Sequence, residues 1–333
     1  MLAGQATLLF LLSVILLGIF QVTVKRRAGL MDLPNARSSH QEATPRGAGL
    51  VFLGLWLGVL PLFGVEAGLL LGRAQAQLWL ALVLMVALGF CEDLYGLPVS
   101  LRLGGQLLIV LFALGALGLF GNWPWWALGL TSFLLLWSIN LFNFMDGLDG
   151  LAGLEAIQVL GFGGAFLMAL GAPALAVLAW HLVACLLGFL IWNWPKAKLF
   201  MGDAGSYGLG FAIALIALLG KVWFQVPLGI WCILYSAFWF DASLTLLRRL
   251  CRGEPWYAPH KSHAYQRLHQ SGWSHQRVAC GLLLLNSVLA LLAWGVSLSW
   301  LSFPLGLSLA LGLLGILYWA IEQGLPMERR DHV

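Results

Sequence analysis

The chain has 333 residues, 61% of them hydrophobic and only 10% charged, with a mean hydropathy of +0.89. Soluble domains carry ~25% charged residues, so the composition excludes a soluble globular protein and a disordered one. The net charge of +4 says little alone; where the charges fall says much more.

The long runs are apolar on every face, which excludes the alternating pattern of a membrane barrel. At ~20 residues per span, the sequence predicts one all-α integral membrane domain over 1–333, a polytopic bundle of about eleven helices. Span one is predicted over 2–22. It has no basic start and no small-residue cleavage site, so it reads as an uncleaved anchor. Lys25, Arg26 and Arg27 follow and put that end in the cytoplasm. A polar loop then runs to Arg46. Spans two and three are predicted over 47–71 and 76–91, and Glu92-Asp93 opens a short polar stretch. Span four covers 103–121. Span five, 124–142, delivers Asn140-Leu-Phe-Asn143-Phe-Met-Asp146-Gly147-Leu-Asp149-Gly150. Spans six and seven cover 151–170 and 173–192, and the chain is polar again from Asn193 to Ser206. Span eight covers 207–220, and span nine, 223–247, carries Asp241. The loop 251–276 is the longest hydrophilic segment. Spans ten and eleven cover 278–298 and 300–321.

Alternating the spans gives cytoplasmic segments near 23–46, 92–102, 143–150, 193–206 and 248–277, with the N-terminus outside and the C-terminus inside. Of the 18 Lys and Arg only Arg73 and Lys221 then face outward, as the positive-inside rule requires. Glu92, Asp93, Asp146, Asp149, Asp203, Asp241 and Glu254 gather on the cytoplasmic face too, and Glu66 faces out. Basic loops explain themselves; acids gathered with them call for a site. No Asp, Glu, Lys or Arg is read at the middle of a span, and His181 is read as the only ionisable side chain well inside one.

Asn140 and Asn143 share a helix face, and two Asp-Gly steps follow. Two carboxylates and two amides at a membrane boundary need polar partners, more than a turn supplies. Phe200-Met-Gly202-Asp203-Ala-Gly205-Ser206 precedes span eight, with Ser206 expected to cap that helix and its N-terminus expected to favour an anion. Mg²⁺ takes one or two carboxylates, waters and phosphate oxygens, which suits scattered Asp residues on one face. In the longest loop, His260, Lys261, His263 and Arg267 offer imidazoles and cations for a diphosphate. The five cysteines have no metal-ligand spacing, so neither a disulfide nor a zinc site is expected. A P-loop is absent, since Gly220-Lys221 precedes Val222.

NxxNxxDGxDGLA at 140–152 and FMGDxGS at 200–206, in order and on one face, resemble the motifs of the polyprenyl-phosphate N-acetylhexosamine-1-phosphate transferases. These are relatives of the translocase that makes the first lipid intermediate of peptidoglycan. The similarity runs from Asp32 to Arg267. The 32–49 stretch and Pro259-His-Lys-Ser-His-Ala-Tyr-Gln look closest to the branch that starts O-antigen or cell-envelope polysaccharide synthesis. The acidic pair departs from the family's Asp-Asp, being Glu92-Asp93. Gly96 stands where the translocase has a basic residue, and Arg102 is the candidate substitute.

The resemblance implies transfer of a sugar-1-phosphate, on GlcNAc or a deoxy-N-acetylhexosamine, from a UDP-sugar to undecaprenyl phosphate, with release of UMP. It implies catalytic roles for Asp93, Glu92, Asp203 and Asp146, with Asp203 and Asp146 holding Mg²⁺ (Mn²⁺ as the second candidate). Asp93 would orient or deprotonate the lipid phosphate. Asn143, Asp149 and Asn193 would line the nucleotide site. Arg46, Arg102, His260, Lys261, His263 and Arg267 would bind substrate. The implied setting is a bacterial inner membrane with the site facing the cytoplasm and no nucleic-acid partner; a homodimer is left open. An ion-coupled transporter is the rival, but its site would sit at the bilayer midplane, where this reading places no acid. A non-catalytic scaffold has no need for the acids or the His-rich loop.

Overall fold

Lipid offers backbone amides no partner, so apolar runs of this length must satisfy themselves as helices. The computed structural model describes residues 2–25, 30–33, 42–66, 72–255 and 260–327, with only the backbone at 60–66. In chain order the elements are α1 (Leu2–Val24), β1 (Met31–Asp32), β2 (Thr44–Pro45), α2 (Ala48–Glu66), α3 (Arg73–Tyr95), α4 (Val99–Ala116) and α5 (Trp125–Met145). Then come α6 (Leu151–Ala169), α7 (Pro173–Asn193), α8 (Gly202–Phe224), α9 (Leu228–Leu234), α10 (Ser236–Cys251), α11 (Ala264–Gln270), α12 (His275–Ser297) and α13 (Phe303–Gly324).

Among the described residues, nine helices are long and apolar enough to cross a membrane, or ten if α9 and α10, bent by 72°, form one span. With α2, 19 residues long, each of the eleven expected segments has its helix or helix pair. Their boundaries move at the polar end. Glu92 and Asp93 lie in the last turn of α3 instead of a loop. The eighth span starts at Gly202, so Asp203 sits in its first turn. Ser206 is therefore inside α8, fully buried, and does not cap it. The long loop contains α11.

α8 is, with α6, the most buried of the spanning helices. Helices in lipid associate through small residues that let backbones approach, and α8 meets three neighbours this way. A Cβ on Gly49 of α2 would strike the Gly205 backbone. One on Gly89 of α3 would strike the Asp203 carbonyl, and one on Gly210 would come 2.6 Å from the Ser138 carbonyl of α5. The chain entering α2 is stitched to the start of α8: Phe200 N donates to Pro45 O (2.8 Å), and Gly49 N to Met201 O (2.9 Å). β1 and β2 close the polar loop antiparallel, Met31 opposite Pro45. The ends of α3, α5 and α7 and the starts of α4, α6, α8 and α12 thus share one end of the bundle.

Candidate active site

The site grows from the two acids fixed by the α3–α8 contact. Asp93, only 2% exposed, accepts the backbone amides of Asp203 and Ala204, each at 3.0 Å. Gly202 makes this possible by turning with φ of +70°, a left-handed conformation that costs glycine little. The anion expected at the N-terminus of α8 is thus Asp93 itself. Arg46 closes this corner, giving Nη2 to the Asp93 carbonyl (2.6 Å), with Nε 4.0 Å from its carboxylate.

Asp203 then points toward α5, where Asn143 Nδ2 donates to its Oδ1 (2.7 Å) and to Ser206 Oγ (3.0 Å). Asn140 shares that helix face but turns to Gln106 of α4 (2.8 Å). Asp146 ends α5. Its enclosed position, then the carboxylates of Asp203, Asp93 and Asp149, push it up to about 8. Acids so crowded need added positive charge. Among the described residues no three His, Cys, Asp or Glu side chains form a ready-made metal cage. The donor set is oxygen only, with the Asp203 carboxylate near enough to act on Asp146, and that chemistry fits Mg²⁺ completed by phosphate oxygens.

The turn 146–150 is held from below. Gly150 N donates to Asn193 Oδ1 (2.9 Å), and Asn193 Nδ2 donates to the Leu199 carbonyl (2.9 Å). Asn193, 4% exposed, therefore shapes the turn from behind. Asp149 Oδ2 accepts the amide of Ala197 (3.0 Å). At the rim, Glu92 pairs with Arg102 (3.0 Å) and accepts the amide of Leu97. The Arg102 expected to stand in for a missing base is thus held by the acid of the unusual pair.

α11 lies on this turn. Tyr265 donates its hydroxyl to the Phe144 carbonyl (3.0 Å), and burial pushes its phenol well above its ordinary range, so it stays a donor. Asp241 of α10 anchors α11 by accepting the amides of Ala264 (3.0 Å) and Tyr265 (3.4 Å). This acid serves α11 and not the Asp cluster. The structure divides the expected loop residues. His260 and Lys261 are partly exposed just before α11. His263 is buried, its Nδ1 3.6 Å from Asp241. Arg267 turns away to α13, giving Nη1 to Glu322 and to the Leu325 carbonyl, both at 2.6 Å. Through Nη1 this guanidinium braces α13. Residues 34–41 of the first polar loop lie outside the described residues.

Sequence reading passed over Glu155, which lies fully buried near the start of α6. Asn286 of α12 donates to it at 2.5 Å. It also missed His269 and His275, which sit near Asp149; the only signal in the chain was a lone charge in an apolar run and a His after a cap-forming Ser.

The chain is similar to known proteins over most of its length. Residues 76–221 match the family model described as "Glycosyl transferase family 4". A probable undecaprenyl-phosphate N-acetylglucosaminyl 1-phosphate transferase of Bacillus subtilis is 31% identical over 305 residues, covering 85% of this chain and 83% of the relative. An undecaprenyl-phosphate alpha-N-acetylglucosaminyl 1-phosphate transferase of Escherichia coli K12 is 28% identical over 81% of this chain and 77% of its own length. A phospho-N-acetylmuramoyl-pentapeptide-transferase of a Synechococcus strain is 35% identical over 61% of this chain and 64% of its own. Nothing among them supports a transporter. A membrane bundle with its acids and amides joined at one end, matched over most of its length to such enzymes, belongs to glycosyl transferase family 4, among the polyprenyl-phosphate N-acetylhexosamine-1-phosphate transferases.

Proposed function

We propose that the chain transfers an N-acetylhexosamine-1-phosphate from a UDP-sugar to undecaprenyl phosphate at the cytoplasmic face of a bacterial inner membrane, releasing UMP. The observation that carries this reading is the meeting of Asn143, Asp146 and Asp203 at one end of the bundle, beside Asp149. The relatives' names make N-acetylglucosamine the first sugar to try. A deoxy-N-acetylhexosamine is the second, on the character of the 251–276 loop.

In this reading an oxygen of the acceptor phosphate attacks the phosphorus bearing the sugar, a new P–O bond forms, and the bond to the UMP oxygen breaks. Phosphoryl transfer asks the protein for positioning and charge neutralisation. Asp203 and Asp146 would hold Mg²⁺, which when bound neutralises the diphosphate. Asn143 sets the angle of the Asp203 carboxylate. Asp93 acts through Asp203: its two oxygens are engaged by the α8 amides, so it orders the metal side instead of touching the acceptor. A phosphate monoester has a second pKa near 6, so the acceptor needs little help to lose its proton. Arg46, Arg102 and Lys261 supply cations, and His260 an imidazole, toward the phosphates. Asp149, on the turn pinned by Asn193, holds the nucleotide. His263 and Arg267 seat α11.

The test uses the purified full chain in nanodiscs with undecaprenyl phosphate, Mg²⁺ and a panel of UDP-N-acetylhexosamines, with UMP measured. UMP should appear with at least one sugar and vanish with EDTA. No UMP from any donor would overturn the proposal.

A further inference from the structure

Beside the acid cluster lies a second polar chain, built from the turn, α11 and the start of α12. Asp149 Oδ2 is 3.1 Å from His275 Nδ1, and both side chains are nearly buried, at 12% and 11% exposed. His275 Nε2 is 3.3 Å from His269 Nε2. His269 Nδ1 is 2.9 Å from the Trp273 carbonyl. The two imidazoles meet edge to face, with centroids 4.4 Å apart.

Hydrogen-bond accounting assigns the protons along this chain. A carbonyl only accepts, so His269 Nδ1 carries a hydrogen. Neutral His269 then presents a bare Nε2, which can only accept. His275 Nε2 must therefore carry a hydrogen. That leaves Nδ1 of His275 as the variable atom. Bare, it accepts the Asp149 amide at 3.3 Å, but its lone pair faces the carboxylate at the shorter distance. Protonated, it donates to Oδ2, and this contact and both ring-to-ring and ring-to-carbonyl contacts become donor-to-acceptor. The structure thus places His275 Nδ1 within hydrogen-bond reach of the Asp149 carboxylate, with His269 held against its other ring nitrogen.

The ring is also rigidly presented. Ser274 caps α12 through the Arg277 amide. Deeper in the bundle, Asn286 of α12 holds Glu155 and Gln158 of α6, and Gln158 Nε2 donates to the Leu283 carbonyl. α12 and α6 are therefore keyed to one another, and α6 begins directly after the Asp149 turn. The ring and the Ala197 amide both meet Oδ2, which fixes the plane of that carboxylate.

We propose that His275 is a positioning residue for the transferase, orienting Asp149 at the nucleotide end of the site with His269 as its support. This rests on the assignment of Asp149 to the nucleotide, and the experiment separates the two. Calorimetry of UMP binding to the full chain with Mg²⁺ is measured alongside kcat and KM for the UDP-sugar. His275→Phe keeps the ring's bulk and removes its hydrogen bonds. It should weaken UMP binding and raise KM by about tenfold, the effect of one charge-assisted hydrogen bond, with kcat changed less than about threefold. His275→Asn places an amide near the Nδ1 position and should recover most of the affinity. Asp149→Asn should weaken UMP binding at least as much. If Asp149→Asn weakens UMP binding and His275→Phe does not, the role of His275 is overturned while the reading of Asp149 stands. If Asp149→Asn binds UMP normally, the nucleotide reading fails and this proposal with it. A fall in kcat at unchanged UMP affinity in His275→Phe would also overturn it. Should that variant not fold, His269→Phe leaves the contact ring in place and removes its support; unchanged UMP affinity there, with no recovery specific to Asn at 275, is the overturning result.

Discussion

Replacing Asp by Asn keeps size and removes charge, and two adjacent acids should answer that change differently. At Asp93 both oxygens accept amides of α8, so an Asn must turn its NH₂ against one of them. A buried donor left unsatisfied costs ~1–3 kcal/mol. Asp93→Asn should therefore lower the melting temperature in detergent together with turnover. Asp203→Asn instead relieves a cluster of like charges, so melting should hold or rise while turnover at saturating Mg²⁺ falls by orders of magnitude. Near-normal turnover in Asp203→Asn would remove that residue from the metal site. Glu155 calls for a different pair of variants. Its Oε1 and Asn286 Oδ1 are two buried acceptors without partners, one on each side of a hydrogen-bonded contact. A single proton on Glu155 satisfies the pair, and a Gln amide would imitate it. Glu155→Gln should melt like the wild type, and Glu155→Ala should lose ~1–3 kcal/mol. A Gln variant as unstable as the Ala variant would show that Glu155 is buried as an anion.

Between helices, the contact that places the acids is made by backbone, not by side chains. Gly89 leaves no room for a methyl group against the Asp203 carbonyl, whereas Gly104 of α4 has open space. Overpacking of this kind costs ~1–3 kcal/mol, and here it would also push α3 from α8 and part Asp93 from the amides it holds. Gly89→Ala should lose both stability and activity, and Gly104→Ala should lose neither. A fully active, stable Gly89→Ala would mean that the helices adjust without moving the acids. α11 is a second such case. The bottom of the loop is fastened through Asp241, Tyr265 and the Arg267–Glu322 bridge. Around α11 the loop is thus fastened to the bundle, while His260 and Lys261 just before it stay partly exposed.

Over the whole molecule, Ser262 and Ser302 stand at opposite ends of α12 and its flanks, since 23 residues of helix extend on the order of 35 Å. In a cysteine-free background, Ser262→Cys should label only from the cytoplasm and Ser302→Cys only from outside. Labelling of position 262 from outside in intact cells would invert the proposed orientation. The distribution of Lys and Arg argues for the stated direction, and the cluster of Asp203, Asp146 and Asp149 lies at the same end as Ser262.

The membrane class, the helical bundle and the end that carries the polar residues follow from the sequence alone. Apolar length and charge placement act locally, and lipid leaves the backbone no alternative to helix. The motifs around Asn143, Asp146 and Asp203 were legible for the same reason, because each is a short local pattern. Tertiary structure decided which partner each polar side chain takes. Asp93 meets an amide 111 positions away, and Arg267 meets an acid 55 positions away. No local pattern separates a carboxylate that caps a distant helix from one that faces a substrate, or a guanidinium that braces α13 from one that grips a diphosphate. Those choices arise where glycine faces let α8 sit against α2, α3 and α5, and they hold because a buried charge in a low-dielectric bundle must be paired by whatever group packing brings within reach.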